Sequence, residues 1–451
     1  MNGSVSMIGR WIKRIGVSGT LLLMAAFLAG CGIFSDSDPI SLMRKPLLPE
    51  EAQKLSGVVT KQLAGREPIR PRDPADTTSI RIEDLNNDGT KEAVLFYETP
   101  EDENVRIRGM LLENQGGTWV KKLTFDGAGL VLESFKLVDV TNDGTIDIVA
   151  GFSRGEDDAM KYLVVYSYTG GTLEKVWETP YTYFAVDQPD GRAAERKPLD
   201  MNGDGLTDIT IVSLLKNEYY NVTTYQYNDG FKELGKVDLD NQANYVLRAS
   251  AGQVAENKTG LILDTFVGQG STVSNIITME NGQLIRADIE DQTFKDAYIL
   301  SEDVDRDGIL EFGKLETPAG WEDASPGERP QLISFYQWDG KKGSIFKLQQ
   351  YRDWQSRYYI NIPPELHGQV TIDRKSDLEK HIIFIMKDTG EVLAEIKFFS
   401  LTAWEENGSE WQELVRTREQ VIGLKRSDKF KSGKDIRTLM KNNSIGKEGQ
   451  K

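Results

Sequence analysis

Thiols and imidazoles are nearly missing from this chain. Its 451 residues include one cysteine, Cys31, and two histidines, His367 and His381. A single cysteine excludes an internal disulfide, so the fold must be held by its core or by bound ions. It also leaves no free thiol for catalysis if Cys31 is used elsewhere. The histidines are not spaced as a zinc pair: His381 opens an apolar stretch and His367 follows a Pro-Pro step. No G-x-S-x-G, P-loop or dinucleotide-type glycine pattern occurs in its proper context. A basic balance is lacking too. Lys and Arg number 54 against 70 Asp and Glu, for a net charge of −16, which argues against a nucleic-acid partner, since phosphates require a basic face. Finally, the leading apolar run, residues 17–29, is shorter than the roughly 20 residues that span a bilayer.

That run has its own meaning. Arg10, Lys13 and Arg14 precede it, giving the charged and apolar regions of an export signal. It ends in Leu28-Ala29-Gly30-Cys31, which resembles the bacterial lipobox. The resemblance implies cleavage after residue 30 and a diacylglycerol thioether on Cys31. The plainer alternatives are an ordinary cleaved signal with a chance cysteine, or an uncleaved anchor. Without the three leader cations the net charge moves from −16 to about −19. Such an excess means either general solubility or carboxylates committed to cations, and the placement of the aspartates decides between them.

One pattern recurs four times as D-x-[DNT]-x-D-G-x-x-[DE]. It reads Asp84, Asn86, Asp88, Gly89, Thr90, Glu92; then Asp139, Thr141, Asp143, Gly144, Thr145, Asp147. The third copy is Asp200, Asn202, Asp204, Gly205, Leu206, Asp208, and the fourth is Asp303, Asp305, Asp307, Gly308, Ile309, Glu311. Calcium takes six to eight hard oxygen ligands. Oxygens at positions one, three and five converge when the chain turns tightly, and glycine at six permits the turn. Position seven offers its carbonyl and the acid at nine closes the site. One copy would be no more than an Asx turn; four with the ninth acid kept point to metal. On ligand charge the Asp303 loop should bind tightest, and the Asp139 loop, with Thr141, weakest. These are not EF-hands, which end in a bidentate Glu at position twelve; here that position is Leu95, Ala150, Ile211 or Lys314. The flanks, such as residues 93–97, 146–149 and 209–212, are β-branched or aromatic and read as strands.

A hairpin follows each loop. Asn114-Gln-Gly-Gly117, Tyr168-Thr-Gly-Gly171, Tyr227-Asn-Asp-Gly230 and Trp338-Asp-Gly340 mark the turns. An orphan hairpin at Asn281-Gly282 belongs to a fifth unit around Ala255-Glu-Asn257-Lys-Thr259-Gly260, which has lost its acids. Units of roughly 50 residues, each a loop between strands with a hairpin behind it, match four-stranded propeller blades. They resemble the FG-GAP/VCBS repeats of integrin α-chain propellers and bacterial surface proteins. The resemblance covers roughly residues 78–345 and implies calcium at the four acidic loops, residue by residue; no metal is carried to the Ala255 unit.

The expected fold is an all-β propeller-like repeat domain over residues 78–348, with five recognisable blades and a sixth or seventh to be assembled from the end segments. A linker with a short helix beginning near Pro49 fills residues 31–77. Residues 349–424 read as a small α+β domain with a helix over 401–414 bearing Trp404 and Trp411, and 425–451 as a basic tail. That tail is either solvated and disordered or held against anionic lipid or wall polymer. The leading functional expectation is a calcium-binding lipoprotein, anchored outside the membrane, that acts as a binding or scaffold module toward cell-wall glycan or another envelope protein. The alternative is a polysaccharide-acting enzyme with carboxylates on the propeller face.

Overall fold

The computed structural model describes residues 50–430 apart from 75, 77, 102–104, 156–160, 190–195 and 326. The leader, Cys31 and the tail from 431 lie outside the described residues. The described chain separates into two units. The smaller contains helix Glu50–Gln62, whose Leu55 and Val59 are buried at a four-residue spacing that Leu63, just past its end, continues, the single apolar stripe of a helix with one packed side. None of the described helices is long and apolar enough to cross a membrane.

The larger unit is all-β, built of antiparallel sheets. Five of them follow one plan, in which antiparallel strands lie side by side in chain order. The first contains Ile80–Glu83, Glu92–Glu98, Ile107–Gln115 and Thr118–Asp126; the second contains Val131–Val138, Asp147–Ser153, Lys161–Thr169 and Thr172–Tyr181. The third contains Tyr183–Ala185, Asp208–Leu215, Tyr219–Tyr227 and Phe231–Asp238, with a two-stranded hairpin inserted before its second strand. The fifth contains Phe312–Glu316, Gln331–Trp338, Ser344–Arg352 and Tyr359–Ile362, and the fourth, Tyr245–Ala255, Lys258–Gly268, Ser271–Glu280 and Gln283–Arg286, holds the degenerate repeat. There the acidic loop is reduced to a turn at Glu256 and Asn257, with Asn257 at φ 57°. Without the acids there is nothing to build a longer loop around.

The inner strands explain themselves by alternation. In Asp147–Ser153, Ile148, Ala150 and Phe152 join a core with the first sheet, whereas Val149 joins a core with the third. Leu261 and Leu263 face the third sheet, and Ile262 the fifth. A strand covered on both faces must be apolar at every position, and Glu92–Glu98 is buried throughout except at its last residue. Consecutive sheets therefore stack, each pair sharing one core.

The end of the chain departs from the expectation in three respects. The boundary placed at 348/349 falls inside strand Ser344–Arg352, which pairs with Gln331–Trp338 on one side and Tyr359–Ile362 on the other. Residues 370–426 form a five-stranded antiparallel sheet, and its core is continuous with Leu332, Tyr351 and Ile360 of the fifth sheet. The helix expected over 401–414 ends at Asn407; Gly408 caps it, and Trp411 leads into strand Gln412–Arg416 instead. The basic tail also begins later than expected. Lys425 and Arg426 are the last residues of a strand, and Phe430 is fully buried.

Candidate metal centre

Each acidic loop is closed by the same hydrogen bonds. The backbone N–H of the glycine at position six donates to the acid at position one: Gly89 to Asp84, Gly144 to Asp139, Gly205 to Asp200 and Gly308 to Asp303, at 2.8–3.0 Å. The N–H of position seven donates to the acid at five, from Thr90, Thr145, Leu206 and Ile309 at 2.7–2.9 Å. The N–H of position two donates to the acid at nine, from Leu85, Val140, Met201 and Val304 at 2.7–2.9 Å. Position six is left-handed in all four, with φ from 83° to 94°, as its glycine requires. So is position four, at Asn87, Asn142, Gly203 and Arg306. Two left-handed residues bracketing an aspartate curl the chain so that the first, third and fifth side chains point inward.

The strands place the loops. In the first two sheets the loop joins a strand to its hydrogen-bonded neighbour, pairing Glu83 with Glu92 and Val138 with Asp147; in the third it follows strand Arg196–Pro198 of the inserted hairpin, and the Asp208 N–H donates to the Leu199 carbonyl. In the fifth sheet that first strand is only a bridge between Glu302 and Glu311, so the rule that each loop joins two strands of its sheet weakens there. Neighbouring loops are also tied together. The Ile146 N–H donates to the Leu85 carbonyl, and the Thr207 N–H donates to Asn142 Oδ1, both at 2.7 Å.

The acids differ in environment. Glu92, Asp147, Asp208 and Glu311, all at position nine, are fully buried. Burial pushes Glu92 up to about 7, Asp147 and Asp208 to about 6 and Glu311 to about 8. Asp88, Asp204 and Asp307, at position five, go the other way. Asp88 is lowered by the Thr90 N–H, and Asp204 and Asp307 are lowered in spite of partial burial, by Gln226 and by Lys347 with Gln337 respectively.

The residue across the sheet from position nine sets how far each acid is satisfied. Gln226 stands opposite Asp208, and its Nε2 lies 2.9 Å from Asp204 and 3.2 Å from Asp208 Oδ1. Gln337 does the same in the fourth loop, donating to Asp307 and, at 2.6 Å, to Glu311 Oε1. In the first loop Glu113 occupies that place, and Glu92 Oε1 is buried without a partner. In the second, the Ser167 hydroxyl lies near enough to lower the Asp147 pKa slightly but makes no hydrogen bond to Oδ1. Asp147 Oδ1 and Asp139 Oδ1 are both buried and unpartnered. Buried carboxylate oxygens with nothing to accept from are costly, and a hard cation among them would supply the missing contact. The donor set is all oxygen, with no sulfur or imidazole. On these grounds the loops suit a hard cation: the side chains at positions one, three, five and nine, and the carbonyl of position seven, would hold it. Thr141 fits least, because its hydroxyl donates to Asp147 at 2.9 Å. Among the described residues, Asp303, Asp305, Asp307 and Glu311 form the one acidic cluster whose ligand atoms all lie within 4.8 Å of one another, and it could hold a metal ion.

The glutamines and Lys347 were not anticipated from sequence. A signal existed for the first two: Tyr225-Gln226-Tyr227 and Tyr336-Gln337-Trp338 fall at the same place in their units. The histidines play no part here. His381 pairs with Glu395 at 2.8 Å, and His367 stacks on Phe346.

No family model and no curated protein matches the chain. Among solved structures it is similar to the rhamnogalacturonan lyase YesW, with 14% identity over 70% of this chain and 76% of that one at a TM-score of 0.30. The Bacillus licheniformis rhamnogalacturonan lyase PL11 gives 11% identity, 72% and 74% coverage and a TM-score of 0.28. The Penicillium chrysogenum α-L-arabinanase complexed with arabinobiose gives 12%, 80% and 97%, and 0.26. Likeness at this level assigns no activity to this chain, which is an all-β protein with repeated acidic loops, one of them a cluster able to hold a metal ion.

Proposed function

We propose that this chain is a calcium-binding repeat lipoprotein, tethered outside the cytoplasmic membrane through Cys31, and that it works as a binding or scaffold module of the cell envelope. The stacked sheets are blades of a propeller of the FG-GAP/VCBS type, and calcium fixes the loops at one end of each blade. One observation carries the reading. The same three-bond closure is built four times, the acids of the Asp303 loop gather within 4.8 Å of one another, and in two of the other loops buried oxygens are left without a partner. The ninth-position carboxylate spends one oxygen on that closure, and in the first two loops its other oxygen is buried without a partner, the place where a cation would complete it. The lipid anchor is supported by the lipobox-like run ending at Cys31; acylation with two or three chains would hold the protein stably, where one chain is marginal.

The test is capture of envelope glycan and protein by the anchored chain in calcium and in EDTA, with hydrolysis of the same glycans followed in parallel. Calcium-dependent capture without cleavage is expected. Glycan cleavage would instead support the polysaccharide-acting reading, and capture indifferent to EDTA would separate calcium from binding.

A further inference from the structure

The fourth loop is the richest in carboxylates, yet it already contains a cation. Lys347 Nζ lies 2.6 Å from Asp307 Oδ2 and 3.3 Å from Asp305 Oδ2. The lysine reaches the cluster because of a β-bulge. Tyr336 pairs with Phe346 and Phe335 with Leu348, so Lys347 is the extra, unpaired residue of its strand. Bulges re-aim side chains in this way. The bulged residue is Leu234 in the third sheet and Val176 in the second, and neither can neutralise an acid.

Lys122 provides a control within the same chain. It lies as far beyond Glu113 as Val176 lies beyond Ser167, but its ammonium is spent on Glu113 at 2.8 Å. The Asp84 loop therefore keeps its unpartnered Glu92 oxygen. In the third loop Gln226 caps the acids, but a primary amide can rotate and present its oxygen to an ion. An ammonium has only donors and cannot become a ligand. The ammonium offsets the charge of Asp305 and Asp307, two of the four acids gathered there.

We infer that Lys347 is the resident cation of the Asp303 loop, so that a divalent ion enters that loop only by displacing it and the chain takes up three calcium ions readily instead of four. The inference rests on the calcium reading of the loops and reverses the order that carboxylate count alone suggests.

Calcium titration calorimetry on the EDTA-stripped, desalted full chain tests it, using Lys347→Met, Lys347→Arg and Asp147→Asn. Wild type should show three sites, Lys347→Met four, with affinity at the added site raised about tenfold or more because an opposing charge within contact distance of the ion is gone. Lys347→Arg should stay at three and Asp147→Asn should fall to two. Circular dichroism confirms that each variant is folded; should Lys347→Met not fold, the stoichiometry of wild type and of Lys347→Arg still decides. Four equivalent sites in wild type, or identical isotherms for wild type and Lys347→Met, would overturn the assignment of Lys347 while leaving calcium binding intact. Folded chains that bind no calcium at all would overturn both.

Discussion

Asp264 and Lys295 form a fully buried ion pair within the fourth sheet, and removing either partner gives a sharp test of how that sheet is held. Asp264 accepts from the Ser301 N–H at 2.5 Å, from the Ser301 hydroxyl at 2.8 Å and from the Ser274 hydroxyl at 2.5 Å. Lys295 lies 3.4 Å from the carboxylate and donates to Ser274 Oγ at 2.8 Å. Both side chains are essentially inaccessible, and burial lowers the lysine's pKa against the opposing pull of Asp264. The network pins residues 294–301, the segment that leads into the Asp303 loop, onto strands Lys258–Gly268 and Ser271–Glu280. Breaking a buried pair by deleting one partner costs about 3–5 kcal/mol. Asp264→Ala should sit at the upper end, since it leaves an ammonium with one hydroxyl and also orphans the Ser301 N–H. Lys295→Met should sit at the lower end, because the carboxylate keeps three donors. The double variant should cost less than the two singles summed, with a coupling of at least ~1 kcal/mol. Urea unfolding followed by tryptophan fluorescence measures the losses, and amide exchange at Ser301 reports whether the segment comes free. A loss below ~1 kcal/mol for Asp264→Ala, or strict additivity, would refute the reasoning.

Three further outcomes are expected. Phe96→Ala should cost about 3–5 kcal/mol, because its ring meets Phe125, Phe135 and Phe152 edge-on at 5.1–5.8 Å between the first two sheets; thermal melts check it. Gly205→Ala meets nothing within 4 Å but sits at φ 83°, so its cost of about 1–2 kcal/mol is backbone strain alone, and it should appear equally in calcium and in EDTA. Cys31→Ala should release the chain into the medium or leave an uncleaved precursor, as fractionation and mass would show; wild-type mature protein found soluble with a free thiol would contradict the anchor.

The loops were legible because their chemistry is local. Position, spacing and the glycine at six lie within nine residues, and the strands on either side announce themselves by apolar alternation. The degenerate unit was legible from its hairpin at Asn281 and Gly282, both left-handed, whereas its Gly260 lies within strand Lys258–Gly268 and not in a turn. What escaped depends on pairing between strands. Lys347 reaches the Asp303 loop through a bulge, and register is not written in its own strand. Arg306 takes a left-handed conformation that its residue type does not advertise. At the end of the chain, the apolar spacing of Trp404 and Trp411 suggests one helix. Gly408 and the pairing of Gln412–Arg416 with Gln420–Arg426 divide it. The boundary at 348/349 was drawn from a change of pattern, whereas strand Ser344–Arg352 crosses it and the core runs on through Tyr351 and Ile360.

Thermal unfolding of the full chain in EDTA and in several millimolar calcium, with magnesium at the same concentration beside it, tests the central claim most directly. Extracellular calcium modules bind at roughly 0.1–1 mM, and magnesium demands a tighter octahedron than these loops offer. At about tenfold excess over Kd each independent site adds about 1.4 kcal/mol, so calcium should raise the melting temperature clearly and magnesium much less. Asp147→Asn should shrink the calcium response, while Asn257→Ala, in the degenerate unit, should leave it unchanged. One melting temperature shared by EDTA and calcium would mean that the four loops are turns and that their buried acids serve some other purpose.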